Sequence, residues 1–369
     1  MKELIFIIGG KSIELNTLAP ALDKKLIDLH SAYFGHGALS WDDFEAEAIK
    51  FFDSCSDKID LHDAYFNNFT VIWNSFLSAG KFGEAENIWN MALSPVLKWE
   101  KANSGKRIHK GTPYYFWGMT VLQRGDLDKG YALMHRAVEE DFLTHGKAYI
   151  DTPGFALVSL NYGKSAQAFR QWVIQQTKFL NDLQNNYSAL YGRKFILEDF
   201  KNRFLLAPPN TETVFLFTYA VARLIRLSEL PAHAIRSSFA GQLEINILFD
   251  VVLVIDNAIH GKNPQKKKFI DHAEFLLAKA GFALANAYLA DINKAFNADF
   301  DGTLSTILDG TFILPNLSLT KFQRDVAVVY GLRNFGAHDV SSSNTIRERF
   351  LEIQQAVMNV LFATVDFLY

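Results

Sequence analysis

An arginine, an asparagine and a histidine lie close together in the stretch YGLRNFGAHDV, residues 330–340, within an apolar helical pattern. Arg333 follows Tyr330 by three positions and therefore continues the apolar stripe of a helix. A permanently charged guanidinium is costly there unless it meets an anion or several acceptors. Arg333 and His338 are therefore candidates for a phosphate site, with Asn334 as an adjacent neutral donor and acceptor.

An arginine beside a histidine can cut RNA without a metal ion. The imidazole titrates near neutrality, so it can take the proton of a ribose 2′-hydroxyl or give one to the leaving 5′-oxygen. The guanidinium can stabilise the extra charge on the pentacoordinate phosphate. Such a reaction leaves a 2′,3′-cyclic phosphate and does not cut DNA, which lacks the 2′-hydroxyl.

The spacing of the two residues sets a geometric condition. His338 lies five positions after Arg333, which corresponds to about 140° around a regular helix. One helical face cannot present both side chains. Either the backbone breaks near Gly336 and turns the histidine back, or a site is shared between two chains, where a two-fold dimer supplies two arginines and two histidines.

At these residues the sequence resembles the HEPN superfamily, the helical domains of bacterial toxins and antiviral ribonucleases. The pattern of that family is an arginine, four to six residues and a histidine, usually with a polar residue directly after the arginine. The resemblance covers about Thr211 to Tyr369, including the apolar segment LFDVVLVIDNAIH and the long final helix. One subgroup carries a modified tyrosine two residues after the histidine, where this chain has Val340.

This resemblance implies a homodimeric endoribonuclease that needs neither a metal nor a cofactor, with a role as a toxin or in antiviral defence. Its catalytic residues would be Arg333, which holds the scissile phosphate, His338, which moves protons, and Asn334, which orients the phosphate or the histidine. The alternative hypothesis is a non-catalytic helical-repeat adaptor, whose HEPN-like half dimerises or binds nucleic acid or a partner.

The motif also has simpler interpretations. The pattern of an arginine followed by a histidine after four to six residues matches a second time in RLSELPAH, Arg226–His233, where an apolar residue follows the arginine and Pro231 interrupts the segment. We interpret that copy as a helix end with a surface histidine. For Arg333 itself, an ion pair that ties the helix end to Asp250 or Asp256 remains open.

Helical periodicity dominates the chain, and proline is sparse, so we predict an all-α fold. The segment LLAPPNTET predicts a boundary between residues 1–207 and residues 208–369, because its prolines end one element and Asn210 or Thr211 can cap the next. After it we predict a five-helix bundle, with helices over about Glu212–Glu229, Ile235–Ile259 and Phe269–Phe296, one from Thr320, and one opened by Thr345 and Glu348 in capping-box spacing.

Two stretches of the N-terminal region are related to each other, AGKFGEAENIWNMAL and RGDLDKGYALMHRAV. In both, a glycine follows one helix, and the next helix carries a large apolar residue three positions before an alanine. This pattern is typical of TPR-like helical hairpins, so we expect residues 1–207 to sense or dock a protein or small-molecule ligand. The equivalent pairs are Gly80 and Gly125, Phe82 and Leu127, Trp89 and Met134, and Ala92 and Ala137.

Composition limits the function classes. The net charge of −3 and the pI near 6.4 give no global attraction to RNA, so any RNA site must be local.

Cys55, the single cysteine, excludes an internal disulfide and a thiolate metal cluster and suits a reducing compartment. The N-terminus lacks a signal-peptide pattern, and the apolar segment before His260 contains acidic residues, so we expect no membrane span and a cytoplasmic location.

Three further segments need an interpretation. DFDGTLS, Asp299–Ser305, matches a phosphatase nucleophile motif, but no β-branched strand precedes it, so we predict a loop. Lys101–Gly111 and Lys266–Lys268 are short basic segments that could contact a phosphate backbone, although solvent-exposed loop charge is the simpler prediction. ELIFII near the N-terminus fits either a short strand or a buried helical turn.

Overall fold

The computed structural model describes residues 3–207, 211–230, 238–315, 317–338 and 343–369, and for residue 238 and residues 336–338 it describes the backbone alone. The chain is mostly helical, as the sequence predicts. It divides into two compact units, Met1–Phe155 and Ala156–Tyr369. In the described residues, no helix is both long enough and apolar enough to cross a membrane.

The N-terminal unit begins with a β-hairpin and continues as seven helices in its described residues. Its elements are β1 Glu3–Ile8, β2 Lys11–Asn16, α1 Pro20–Tyr33, α2 Trp41–Cys55, α3 Ile59–Asn67, α4 Thr70–Ser78, α5 Phe82–Ala102, α6 Gly111–Gln123 and α7 Leu127–His145, followed by a 3-10 helix, Gly146–Asp151. A short helix, α8 Pro153–Val158, spans the division between the units.

The segment ELIFII forms a strand, which decides between the two interpretations of that sequence. β1 pairs antiparallel with β2, and Ile8 lies opposite Lys11. The connecting residues Gly9 and Gly10 both have positive φ, 56° and 79°, as a tight two-residue hairpin turn requires.

The two related stretches of the N-terminal unit form equivalent helical hairpins, α4–α5 and α6–α7. Gly80 and Gly125 adopt positive φ at the end of the first helix of each pair. At the equivalent positions of the second helices, the large residue and the alanine are fully buried in both copies. The internal similarity therefore reflects one repeated packing arrangement; its assignment to the TPR class remains a prediction.

The C-terminal unit is a helical bundle with one minimal β-hairpin. Its described elements are a 3-10 turn Gln167–Phe169, α9 Arg170–Tyr191, α10 Leu197–Phe200 with a following π-helical turn Lys201–Leu205, α11 Thr211–Ser228, α12 Ser238–Lys262, α13 Phe269–Lys279, α14 Asn286–Ala298, α15 Phe300–Asp309, β3 Ile313–Leu314, β4 Leu317–Ser318, α16 Lys321–His338, α17 Asn344–Glu348 and α18 Phe350–Leu368.

The unit boundary lies earlier in the chain than the prolines of LLAPPNTET indicate. α9 belongs to the C-terminal unit because its side chains bind α18. The buried Tyr187 donates its hydroxyl proton to Asp366 over 3.0 Å, and Gln355 donates to the carbonyl of Leu183 over 3.0 Å. The bundle therefore includes residues before Pro208, which itself lies outside the described residues.

Three segments differ from their sequence predictions. The last helix does not open with the predicted capping box of Thr345 and Glu348, because Ser343 caps the short α17 and the long α18 begins only at Phe350. The single helix predicted over Phe269–Phe296 is two helices, α13 and α14, because the chain turns at Gly281 with φ of 80°. The loop predicted for DFDGTLS was wrong. Asp299 caps α15 by accepting from the Gly302 N–H at 3.0 Å, so it does not end a buried strand as the phosphatase motif needs.

α16 is the central helix of the candidate site, and it packs against α12, α13, α14, α15 and α18. Val326 and Val329 on α16 are buried. Gly331 lets the helix approach α14 closely, because a Cβ added there would lie 2.6 Å from Cε2 of the buried Phe296. This close approach fixes the position of the last turns of α16, which carry Arg333 and Asn334.

We predict that Gly331→Ala destabilises the protein by about 1–2 kcal/mol, although alanine favours helices over glycine by about 1 kcal/mol. The added methyl group must displace the Phe296 ring. Gly83→Ala is the matched control, since a Cβ there meets nothing within 4 Å, and it should be neutral or stabilising by about 0.5 kcal/mol. Denaturant unfolding measures both. A Gly331→Ala protein as stable as wild type would show that α14 and α16 are not held this closely.

Candidate functional site

The three residues predicted from the sequence lie in the last turns of α16. The backbone is helical through His338, the last residue of α16, so the break near Gly336 that could turn the histidine back is absent from this helix. The side chain of His338 lies outside the described residues, as do Val340 and His233. On a regular helix, backbone positions 333 and 338 lie about 140° apart around the axis.

Arg333 lies partly buried against α12. Its Nε is 3.5 Å from Oδ2 of Asp256, and its guanidinium carbon is 5.6 Å from the ring centre of Phe249. The side chain of Arg333 is 30% exposed to solvent, and its Nε has no hydrogen-bond partner among the described residues. The ion pair with Asp256 matches one interpretation left open by the sequence. Its geometry leaves donor capacity on the guanidinium unused within the described structure.

Asp256 also binds a histidine that the sequence reasoning did not select. His272 on α13 places Nδ1 2.5 Å from Asp256 Oδ1 and Nε2 3.0 Å from the carbonyl oxygen of Lys266. Both ring nitrogens face acceptors, which requires a proton on each nitrogen and therefore an imidazolium. Burial lowers the pKa of His272, but the hydrogen bonds to Asp256 and to the Lys266 carbonyl outweigh it, so the pKa lies above its ordinary value.

A second histidine adjoins this pair. His260, near the end of α12, is exposed, and its Nδ1 lies 3.1 Å from the same Lys266 carbonyl. The rings of His260 and His272 are 5.6 Å apart. We call Arg333, Asp256, His272 and His260 the Asp256 cluster. Within these four residues one carboxylate faces a guanidinium and an imidazolium, which gives the cluster itself a net positive charge, while the carboxylate of Asp271 also acts on His272 from outside the cluster.

Asn334 contacts α14, whereas its neighbour Arg333 contacts α12. Its Nδ2 donates to Oδ1 of Asn293 on α14 over 2.6 Å, and the side chain is half-buried. Arg333 and Asn334 thus hold α16 to α12 and to α14 respectively. The structure does not direct the Asn334 amide into the Asp256 cluster.

The basic segments predicted as solvent-exposed loops divide into two cases. Lys266, Lys267 and Lys268 are exposed, as predicted. The prediction was wrong for the end of the segment Lys101–Gly111, because His109 and Lys110 are each only 4% exposed. Their carboxylate partners come from other helices, so local sequence gives no signal of this burial.

The C-terminal unit also contains a pocket of about 670 Å³ lined by apolar side chains, among them Leu227 and Phe350, and by charged ones, among them Arg347. Glu244 on α12 lines it and is 2% exposed, and its Oε2 has no hydrogen-bond partner among the described residues. Burial raises the pKa of Glu244 to about 7, against the opposing effect of Arg347. A carboxyl group that titrates near neutrality therefore lines this pocket.

Comparison of the chain with protein-family models, with curated proteins and with solved structures gave no match.

We predict that Asp256→Asn lowers the pKa of His272 toward the ordinary value of about 6.5, because the charged acceptor is lost. A raised histidine pKa stabilises the folded state below the unfolded value and loses this contribution as the pH rises through the folded value. The variant should therefore show weaker pH dependence of stability above about pH 6.5. NMR titration of the histidine ring protons measures the pKa directly.

The matched control for this titration is Asp250→Asn, on the same helix. Asp250 pairs with Arg223 at 2.7 Å and not with a histidine. An unchanged His272 titration in Asp256→Asn, or an equal shift in the control, would contradict the assigned contact.

We predict that Glu244→Gln stabilises the protein above pH 7. A carboxyl group whose folded pKa is raised contributes stability below its unfolded value, near 4.5, and loses it as the pH rises through about 7. The amide cannot ionise, so the variant should exceed wild type by about 1–3 kcal/mol at pH 8. Denaturant unfolding at pH 5 and pH 8 tests this. Glu348→Gln, exposed at the same pocket, should show no such gain.

Proposed function

We propose that the C-terminal unit is a metal-independent endoribonuclease of the HEPN type. Arg333 binds the scissile phosphate, His338 transfers protons, and Asn334 holds the helix that carries them. The observation that carries the proposal is the environment of Arg333. It is a partly exposed side chain in a cluster of net positive charge, on the helix that ends at His338, and its Nε is buried without a hydrogen bond among the described residues.

The proposed reaction breaks the P–O5′ bond of RNA. A histidine removes the proton of the 2′-hydroxyl, the 2′-oxygen attacks phosphorus, and the 5′-oxygen leaves with a proton supplied by a second acid. Arg333 stabilises the charge on the pentacoordinate phosphate. The products are a 2′,3′-cyclic phosphate and a 5′-hydroxyl, and neither a metal nor a redox partner takes part.

The proposal includes a second copy of the chain. Because α16 remains helical to its last residue, its backbone positions 333 and 338 lie about 140° apart around the helix axis. Two chains related by a two-fold axis can combine the arginine of one with the histidine of the other, so one histidine acts as base and the other as acid. Cleavage of cellular RNA by such a dimer would act as a toxin or an antiviral effector.

We predict that the purified protein cuts single-stranded RNA in EDTA and leaves DNA of the same sequence intact. Arg333→Ala and His338→Ala should each slow cleavage by about 100-fold or more, since each removes a group that acts in the transition state. Gel analysis of end-labelled RNA gives the rate, and mass spectrometry of the fragment ends identifies the cyclic phosphate.

Arg226→Ala is the control for this experiment, because Arg226 belongs to the second copy of the arginine–histidine spacing. It should cut at the wild-type rate. Circular dichroism establishes that each variant is folded. Wild-type rates in both Arg333→Ala and His338→Ala, or loss of all cutting in EDTA, would exclude the proposed mechanism.

A second candidate function has its own support. Arg333 pairs with Asp256 and Asn334 binds Asn293, so two of the three predicted catalytic residues hold helices together. This favours a structural role for these two residues, as in an adaptor whose bundle would dimerise or bind a partner. Under that function the wild-type protein leaves RNA intact, while Arg333→Ala changes the dimer fraction measured by light scattering.

A further inference from the structure

The N-terminal unit contains a group of histidines and aspartates with no part in the proposed RNA cleavage. His109 lies in the segment between α5 and α6, and Asp141 and His145 lie in the last two turns of α7. Asp141 and His145 are four positions apart and therefore share one face of the helix. One ligand atom from each of these three residues lies within 4.8 Å of those of the other two.

His109 is held in a fixed orientation by two carboxylates. Its Nδ1 lies 3.1 Å from Oδ1 of Asp63 on α3, and its Nε2 lies 3.0 Å from Oδ1 of Asp141. Thr112 donates its hydroxyl proton to the same Asp63 oxygen over 2.9 Å. A histidine that binds a metal through one nitrogen usually gives the other N–H to a carboxylate, which fixes the tautomer and the ring plane. Asp63 is placed for that role.

The charge balance around the group favours the binding of a divalent cation. Lys110 pairs with Glu100 at 2.6 Å, and Arg107 pairs with Glu140 at 2.9 Å. These two cations are therefore matched by carboxylates outside the group. Asp63 and Asp141 both face His109, and a doubly charged ion bound beside a neutral His109 would balance both of them.

Glycine at position 111 makes this arrangement possible. A Cβ on Gly111 would lie 2.6 Å from Nε2 of His109 and would also strike Oδ1 of Asp141. The backbone at the start of α6 therefore lies directly against the two inward-facing atoms. Any larger residue would force His109 and Asp141 apart.

We propose that His109, Asp141 and His145 bind one Zn²⁺ ion, that Asp63 orients His109, and that the fourth coordination position faces solvent beside the exposed His145. Two nitrogens and one carboxylate oxygen are a ligand set that zinc accepts. Ligand atoms about 2.0–2.1 Å from a tetrahedral zinc lie about 3.3 Å from each other, near the 3.0 Å between His109 Nε2 and Asp141 Oδ1.

The third ligand needs only a small adjustment. The ring of His145 is 5.4 Å from that of His109 and nearly perpendicular to it, with an interplanar angle of 81°. His145 is exposed, so rotation of its side chain toward the ion does not disturb the core. Zinc would then join the end of α7 to the segment before α6.

The competing arrangement has a proton in place of the metal. Burial lowers the pKa of His109, but hydrogen bonds to Asp141 and Asp63 outweigh it and raise the pKa to about 9. In this arrangement the group is an ion-paired triad that stabilises the unit and has no affinity for zinc. The two arrangements predict different results in a metal titration.

The experiment is zinc titration of the full-length protein after EDTA dialysis, by calorimetry with a competing chelator. We expect one equivalent to bind. His145→Ala, which removes an exposed ligand, should weaken binding by about 100-fold or more. Asp63→Asn should weaken it by about 10–100-fold with unchanged stoichiometry, because it removes only the orienting carboxylate. His36→Ala, an exposed histidine elsewhere in the unit, is the matched control and should bind as wild type.

Cobalt substitution adds a readout that does not depend on stability. Co²⁺ in a four-coordinate site gives strong visible absorption, which should appear with the wild-type protein and be absent with His145→Ala. Circular dichroism of each variant distinguishes lost binding from lost folding. No zinc uptake by wild type, or equal uptake by wild type and His145→Ala, would overturn the proposal and leave the proton-bridged triad. Neither result depends on whether the C-terminal unit cuts RNA.

Discussion

The carboxylate of Asp256 lies between two cations, the guanidinium of Arg333 and the imidazolium of His272. These three residues belong to three helices, α16, α12 and α13, so one side chain connects the elements that form the candidate site. Asp256 supplies one negative charge against these two positive charges, so one positive charge remains. In a partly buried setting this charge acts more strongly than it would in water. Under the proposed function this remaining positive charge would attract the phosphate of RNA, although the whole chain is slightly acidic.

The sequence predicted the helical elements well where apolar periodicity was long and uninterrupted. α11 begins at Thr211, within one residue of the predicted start, and α16 and α18 follow the predicted apolar stripes. Prediction was wrong where one residue had two possible roles. Gly281 can lie within a helix or end it, and Asp299 can form a turn or cap a helix, and only packing selects between these roles.

The side-chain clusters were much less predictable than the helices. Arg333 and Asn334 were found from a local spacing, but His272 meets Asp256 only because α12 and α13 fold back on each other. His109 lies 32 positions from Asp141 and 46 from Asp63, so its burial depends on contacts that local sequence does not encode. Asp141 and His145, four positions apart on one helix, were the only local signal of that group. The acidic residues of the apolar segment before His260, Glu244 among them, were noticed only as charges that disfavour a membrane span, whereas the burial of Glu244 Oε2 without a hydrogen bond depends on the packing around it.

The unbroken helix to His338 has a consequence for how such a protein would behave in a cell. If no single chain can bring its two reactive groups together, the concentration of complete sites depends on the fraction of chains that dimerise as well as on the total concentration of the protein. At concentrations below the dissociation constant of the pair, doubling the amount of protein would raise the number of complete sites about fourfold. The rate of synthesis would then control the activity: the protein would be inactive at low abundance, and its activity would rise steeply once its concentration approached the dissociation constant of the dimer.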